Sequence, residues 1–141
     1  MLVFTAEILV NRQAHLPSNN WRRVMSIHHK INYIEIPVKD ISVTKAFFSA
    51  VFGWEFVDYG HDYTAFTGAG IDGGMFSAKQ CVSTDNGSVL VVLYSDDLAT
   101  TQAEIEAHGG KIVQDVFSFP GGHRFHFCDP CGNEYAVWSD K

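Results

Sequence analysis

Two side chains capable of acid/base chemistry stand at alternating strand positions, Glu35 in Tyr33-Ile34-Glu35-Ile36-Pro37-Val38 and His126 in Arg124-Phe125-His126-Phe127-Cys128. Neighbouring side chains of a strand point to opposite faces, so burying Ile34, Ile36, Phe125 and Phe127 on one face sends Glu35 and His126 to the other. A carboxylate and an imidazole that share a cavity can pass a proton to and from a bound molecule. The same two groups, with Arg124, can instead form a satisfied polar cluster or hold a ligand without reacting with it, and residue type leaves these three readings open. Parity puts Tyr33, Tyr94, Arg124 and Trp138 on the same side, and Phe76 adds a further ring. These rings could stack a flat molecule or simply fill a core. A few polar groups among apolar ones is the lining expected of a small-molecule cup.

Cys128-Asp129-Pro130-Cys131 has the spacing of a redox pair or half a zinc site. No second C-x-x-C follows, no helix is placed to lower a thiol pKa, and Asp129-Pro130-Cys131-Gly132-Asn133 has turn composition, so two thiols at a surface turn are expected. The three cysteines, Cys81, Cys128 and Cys131, are too few for a disulfide framework.

The elements that position these residues come in two copies. Asp40 can cap a helix over Ile41–Phe52, whose Ala46, Phe47, Phe48, Val51 and Phe52 share a face, and Gly53 can end it in a left-handed turn. Asp97 lies 57 residues after Asp40, and at that offset Ile41 meets Leu98, Thr44 meets Thr101, Ala46 meets Ala103 and Gly53 meets Gly110. Alternating strands precede each Asp, and three more strands follow each helix between turn signals such as Gly68-Ala69-Gly70. The chain therefore reads as two βαβββ modules, about 31–78 and 88–138, an α+β fold expected to form a curved eight-stranded half-open barrel with helices outside. The apolar set Ile34, Ile36, Val89, Val91, Leu93, Phe125, Phe127, Tyr135 and Val137 should face the helices. Residues 1–24 match neither module and read as an N-terminal extension before a single domain over 25–141, with Met25 a natural start.

The length of 141 residues suits one domain. A net charge of −6 with scattered Lys and Arg gives no footprint for a phosphate backbone, so nucleic acid is not an expected partner. No run approaches the ~20 apolar residues of a membrane span and the opening lacks a signal-peptide layout, so no membrane association and a cytoplasmic location are expected.

The strand leading into Asp40-Ile41, Phe52-Gly53-Trp54, Ala107-His108-Gly109-Gly110 and the Asp129-Pro130-Cys131-Gly132-Asn133 turn, in this order, resemble the vicinal oxygen chelate superfamily of glyoxalases, extradiol dioxygenases, fosfomycin-resistance enzymes and bleomycin-binding proteins. The resemblance covers about 31–138 and is nearest the glyoxalase-related branch. It implies a divalent metal held by His, Glu or Gln from four strands, but the matching positions here are Tyr33, Leu90, Ala136 and either Gly74 or Met75. Leucine and alanine cannot ligate, and tyrosine must first deprotonate, so loss of the inherited site is expected, with no cofactor unless a metal site is rebuilt around Tyr33, Glu35 and His126. Family habit also implies a homodimer. The resulting expectation is a glyoxalase-like protein holding a small, partly aromatic molecule in its cup, with Tyr33, Tyr94, Arg124, Trp138 and Phe76 as contacts. The alternatives are a lyase or isomerase using Glu35 and His126, and a structural protein whose cup is filled by its own side chains or by the N-terminal extension.

Overall fold

The structure is a computed structural model that describes residues 26–141. The expected extension over residues 1–24 lies outside the described residues. Tyr33–Lys141 forms one compact unit, and residues 26–32 belong to the unit before it.

Module 1 runs β1 (Tyr33–Val38), α1 (Ile41–Phe52), β2 (Glu55–Asp58), β3 (Tyr63–Thr67) and β4 (Asp72–Ser77). Module 2 repeats it as β5 (Val91–Tyr94), α2 (Leu98–Ala107), β6 (Lys111–Phe119), β7 (Gly122–Cys128) and β8 (Glu134–Ser139), after a single 3-10 turn at Thr84–Asn86. Each module folds its strands into a four-stranded sheet of the same order, β1-β4-β3-β2 and β5-β8-β7-β6. The first strand pairs parallel with the last in both, which is the doubled α+β fold that the repeat predicts.

The helix caps explain why the repeat is so regular. Asp40 sits extended and its carboxylate accepts from Val43 N at 3.0 Å, and Asp97 does the same for Thr100 N at 3.1 Å. Each such cap contributes about 1 kcal/mol by satisfying an otherwise orphan N–H. The C-terminal stops differ by one residue. Gly53 takes the left-handed conformation after α1 at φ 69°, but after α2 it is Gly109 at φ 93° that does so, although the offset aligned Gly53 with Gly110. Gly110 is small for another reason, since a Cβ there would clash with the Ile105 side chain and crowd Phe47.

One core serves both modules. Ile36, Val38, Phe66 and Met75 from the first sheet join Phe125, Phe127, Tyr135 and Val137 from the second, with Phe47, Phe48 and Ile105 of the helices between them. Phe48 stacks on Trp54 at 4.4 Å and meets Tyr135 edge-on at 5.1 Å, and Trp54 stacks on Phe66 at 4.8 Å. Helix α1 is thus gripped from both sides, each buried ring contributing on the order of 2 kcal/mol through its removal from water. The parity assignment holds for every residue of the apolar set except Val89, which lies ahead of β5 and is 85% exposed. Ala46, expected on the buried face of α1, is exposed.

The helix-facing surfaces of both sheets share this core, and the two four-stranded sheets do not close into a barrel. The opposite surface of each sheet, its concave face below, carries the residues of the other parity.

Candidate functional site

On the first sheet, the concave face is built around a missing side chain. Glu35 of β1 pairs in register with Gly74 of β4, which pairs with Ala65 of β3, and Tyr63 pairs with Phe76 two rungs away on the same face. Two small residues in the middle of the sheet leave room above Gly74, and two phenols fill it. A Cβ on Gly74 would overlap the Tyr63 ring and hydroxyl and crowd the Tyr33 hydroxyl. Tyr63 Oη donates to Glu35 Oε1 at 3.0 Å. That uses the only phenolic proton of Tyr63, so Tyr33 donates in the 2.5 Å bond between the two hydroxyls. Burial, then the bonds to Tyr33 and Glu35, push the ionisation of Tyr63 far above the ordinary phenol range. Glu35 itself is exposed, and Phe76 is half-buried beside it.

On the second sheet, β7 carries Arg124 and His126 on its concave side. Arg124 lies opposite Trp138, which lies opposite Tyr94; His126 lies opposite Ala136, which lies opposite Val92. His126 Nδ1 is 2.8 Å from Glu134 Oε2. Burial pushes the Glu134 carboxyl up, but the bonds from His126 and from the backbone N and hydroxyl of Thr84 together outweigh it and hold it below its usual range. Glu134 is therefore an ionised acceptor, and the imidazole must carry its proton on Nδ1. The other ring nitrogen, Nε2, is buried without a partner among the described residues, as is Arg124 Nε. The guanidinium carbon of Arg124 sits 5.1 Å from the Phe117 ring centre and 5.8 Å from that of Phe119. Tyr94 is exposed, its hydroxyl donating to Asp140 at 2.6 Å, and its ring meets Trp138 edge-on at 5.2 Å.

Residues 30–137 match the glyoxalase/bleomycin resistance protein/dioxygenase superfamily. The chain belongs to that superfamily. No curated protein sequence matches it, but solved structures of the superfamily superpose over most of its length. A glyoxalase/bleomycin resistance protein/dioxygenase family enzyme from Burkholderia phytofirmans PsJN has a TM-score of 0.65 at 13% identity, covering 78% of this chain and 98% of that one. A genomically encoded fosfomycin resistance protein from Listeria monocytogenes has a TM-score of 0.65 at 18% identity, covering 80% and 94%. A lactoylglutathione lyase from Agrobacterium tumefaciens has a TM-score of 0.58 at 21% identity, covering 79% and 93%. At these identities the likeness is one of fold.

The superfamily fold implies a divalent metal, and a variant of the Listeria protein is described in complex with Mn(II) and a dihydroxypropylphosphonic acid. The corresponding positions here do not fit one. Tyr33 shares its hydroxyl with Tyr63, Gly74 has no side chain and no space for one, and Met75 is fully buried on the core side with Ile36. Ala136 offers a methyl group, and among the described residues no three His, Cys, Asp or Glu side chains are placed to share an ion.

Of the residues expected at the site, Arg124, His126, Tyr94 and Trp138 are brought onto one concave face, and Tyr33, Glu35 and Phe76 onto the other. Glu35 and His126, expected to meet in one cup, instead take separate partners, Tyr63 and Glu134. Both partners went unnoticed in the sequence. Glu134 has the same parity as Ala136 and Trp138, which would have placed it beside His126 once β7 and β8 were paired. The thiols are free. Cys131 Sγ lies against Asp40 O and Thr44, while burial raises the Cys128 thiol above its ordinary value, the opposite of an activated redox pair.

Proposed function

We propose that the protein binds a small, partly aromatic molecule on its concave faces without a resident divalent metal, as a homodimer. The observation that carries this reading is the Arg124, His126, Tyr94 and Trp138 face, where rings surround two polar nitrogens that no described residue satisfies. Such a surface is suited to a ligand with one flat apolar part and a few hydrogen-bonding groups. Exposed sheet edges and apolar side chains support homodimerisation. Strands β1 and β5 are sheet edges, and Val57, Val92 and Tyr94 are exposed on concave surfaces. A twofold axis setting the first sheet of one copy against the second sheet of another would close two equivalent cups at once. Tyr33, Glu35 and Phe76 would then line the wall opposite His126.

Fragment screening by NMR on untagged full-length protein tests the binding, with perturbations mapped onto both faces. Light scattering should return about twice the 15.7 kDa chain mass. Elemental analysis should find less than about 0.2 equivalents of zinc, nickel, manganese or iron, since a competent site fills by affinity. Fragments that perturb neither face, or near-stoichiometric metal lost on changing Glu35 or His126, would overturn the reading.

The His126–Glu134 pair favours a second reading, a lyase or isomerase of the lactoylglutathione-lyase-related type. A carboxylate that fixes the proton on Nδ1 leaves Nε2 as a proton acceptor, which is how an imidazole is prepared as a general base, with Glu35 on the opposite wall as its counterpart. Turnover of a carbonyl substrate that is lost in His126→Gln while binding persists would support it over binding alone.

A further inference from the structure

We propose that the concave face of the second sheet is an anion site whose ligand is a planar aromatic carboxylate, anchored by Arg124. This rests on the small-molecule reading above and specifies the ligand's charge. The chain is acidic, at −6 overall, and two of the described lysines are held by carboxylates, Lys45 by Asp58 at 2.7 Å and Lys141 by Asp96 at 2.7 Å. Arg124 forms no ion pair among the described residues. The carboxylate on the same face, Glu134, is fully engaged, one oxygen with His126 and the other with the backbone N and hydroxyl of Thr84 at 2.7 and 2.9 Å.

The environment of Arg124 also specifies geometry. Phe117 and Phe119 lie along the guanidinium and Trp138 lies across the ladder, so the cation is oriented by rings and receives no acceptor from them. Its Nε is buried and unpartnered. A carboxylate approaching the side of the fork takes one hydrogen bond from Nε and one from a terminal nitrogen, the bidentate mode for which a guanidinium is shaped and an ammonium is not. A flat ring attached to that carboxylate falls against Trp138 and Phe119. Two residues along β7, roughly 7 Å away, His126 presents its other unsatisfied nitrogen, Nε2. That residue is 9% exposed, and its nitrogen is an acceptor once Nδ1 holds the proton. A hydroxyl on the far side of the ring would donate to it.

The test is an NMR titration of the full-length protein with benzoate, 4-hydroxybenzoate and the neutral isostere benzamide. Both carboxylates should bind at least ten-fold tighter than benzamide, with shifts at Arg124, His126 and Trp138. Arg124→Gln should bring the carboxylates down to the affinity of the amide, and Arg124→Lys, which keeps the charge and loses the fork, should retain only part of the preference. Benzamide binding as well as benzoate would overturn the anion site and leave the small-molecule reading standing. If none of the three perturbs the second concave face, the anion site fails, and the wider reading then stands or falls with the fragment screen. Dissociation of a dimer by Arg124→Gln, with no carboxylate preference in the parent protein, would assign Arg124 to a contact between copies and likewise overturn the site.

Discussion

His126 Nδ1 and Glu134 Oε2 lie 2.8 Å apart across the β7–β8 ladder, with only 11% of each side chain exposed. The ionised carboxylate has no proton to give, so the neutral imidazole is locked with its proton on Nδ1. Long-range nitrogen–proton NMR at neutral pH should find that tautomer dominant in the parent protein, and a mixture of both in Glu134→Gln. The Glu134 carboxyl is held below its usual range, so its contribution to stability is complete above the unfolded value near 4.3 and is lost as the pH falls through the folded one. Glu134→Gln should therefore remove part of the acid-side destabilisation. A dominant Nε2-protonated form would dissolve the proposed general base.

Gly74 tests the phenol pair. A methyl group there would have to displace Tyr63, which is 5% exposed and bonded to both Tyr33 and Glu35. Gly74→Ala should cost about 1–3 kcal/mol in urea denaturation, as overpacking of a filled site does. Combining it with Tyr63→Phe removes the hydroxyl that is hit first, and should cost less than the sum of the two changes. Additive costs would mean that the two residues do not compete for one space.

The local elements were legible in the sequence because their signals are local. Asp40 and Asp97 announce their helices, Gly53 ends the first, and alternation sorts Ile34 from Glu35 and Phe125 from His126. The one-residue difference between Gly109 and Gly110 was not legible, because either glycine fits the pattern and only the packing against Ile105 and Phe47 decides. Nor was the separation of Glu35 from His126. Parity states which face of its sheet a residue occupies, but not which way two sheets are turned, and that depends on Phe48 touching Trp54 and Tyr135 at once. Tyr63 and Glu134 were missed for a related reason: register between strands joined by turns is set by non-local pairing. In β6 two shifts in pairing, between Ile112 and Gln114 and between Gln114 and Phe117, put even the neighbours of β7 beyond simple counting.

Asp129 gives stability an unusual pH dependence. Its Oδ1 accepts from Cys131 N at 2.9 Å and Asn133 N at 3.0 Å, while Oδ2 is buried with no partner among the described residues. Burial outweighs the N–H bonds and pushes the carboxyl up to about 6. A folded value above the unfolded one means that the native state binds the extra proton, so stability should rise as the pH falls from about 6 towards 4. The gain is on the order of 2 kcal/mol for a shift of about two units. Asp129→Asn keeps the acceptor at Oδ1 and should flatten that slope. Parent and variant showing the same change between pH 7 and pH 4.5 in urea denaturation would show that Asp129 is ionised throughout.

Asn133 joins the two modules through one side chain. It is 1% exposed; Nδ2 donates to Pro37 O at the end of β1 at 2.7 Å, and Oδ1 accepts from Val82 N in the linker at 2.9 Å. Its backbone N–H is held by Asp129, so the β7–β8 turn, the linker and the first strand meet at this residue. Asn133→Ala leaves a carbonyl and an N–H unsatisfied in a buried place, and should cost about 2–4 kcal/mol, two bonds near 1 kcal/mol each plus the desolvation of their orphaned partners. Asn133→Asp is the sharper test because it preserves shape. It still accepts from Val82 N but turns a carboxylate oxygen towards Pro37 O, so at pH 7 it should be at least as damaging as alanine and should recover as the pH is lowered and the new carboxyl protonates. An Asn133→Asp protein within about 0.5 kcal/mol of the parent at pH 7, a change small against the cost of burying an unpaired charge, would show that the junction between the modules does not depend on this residue.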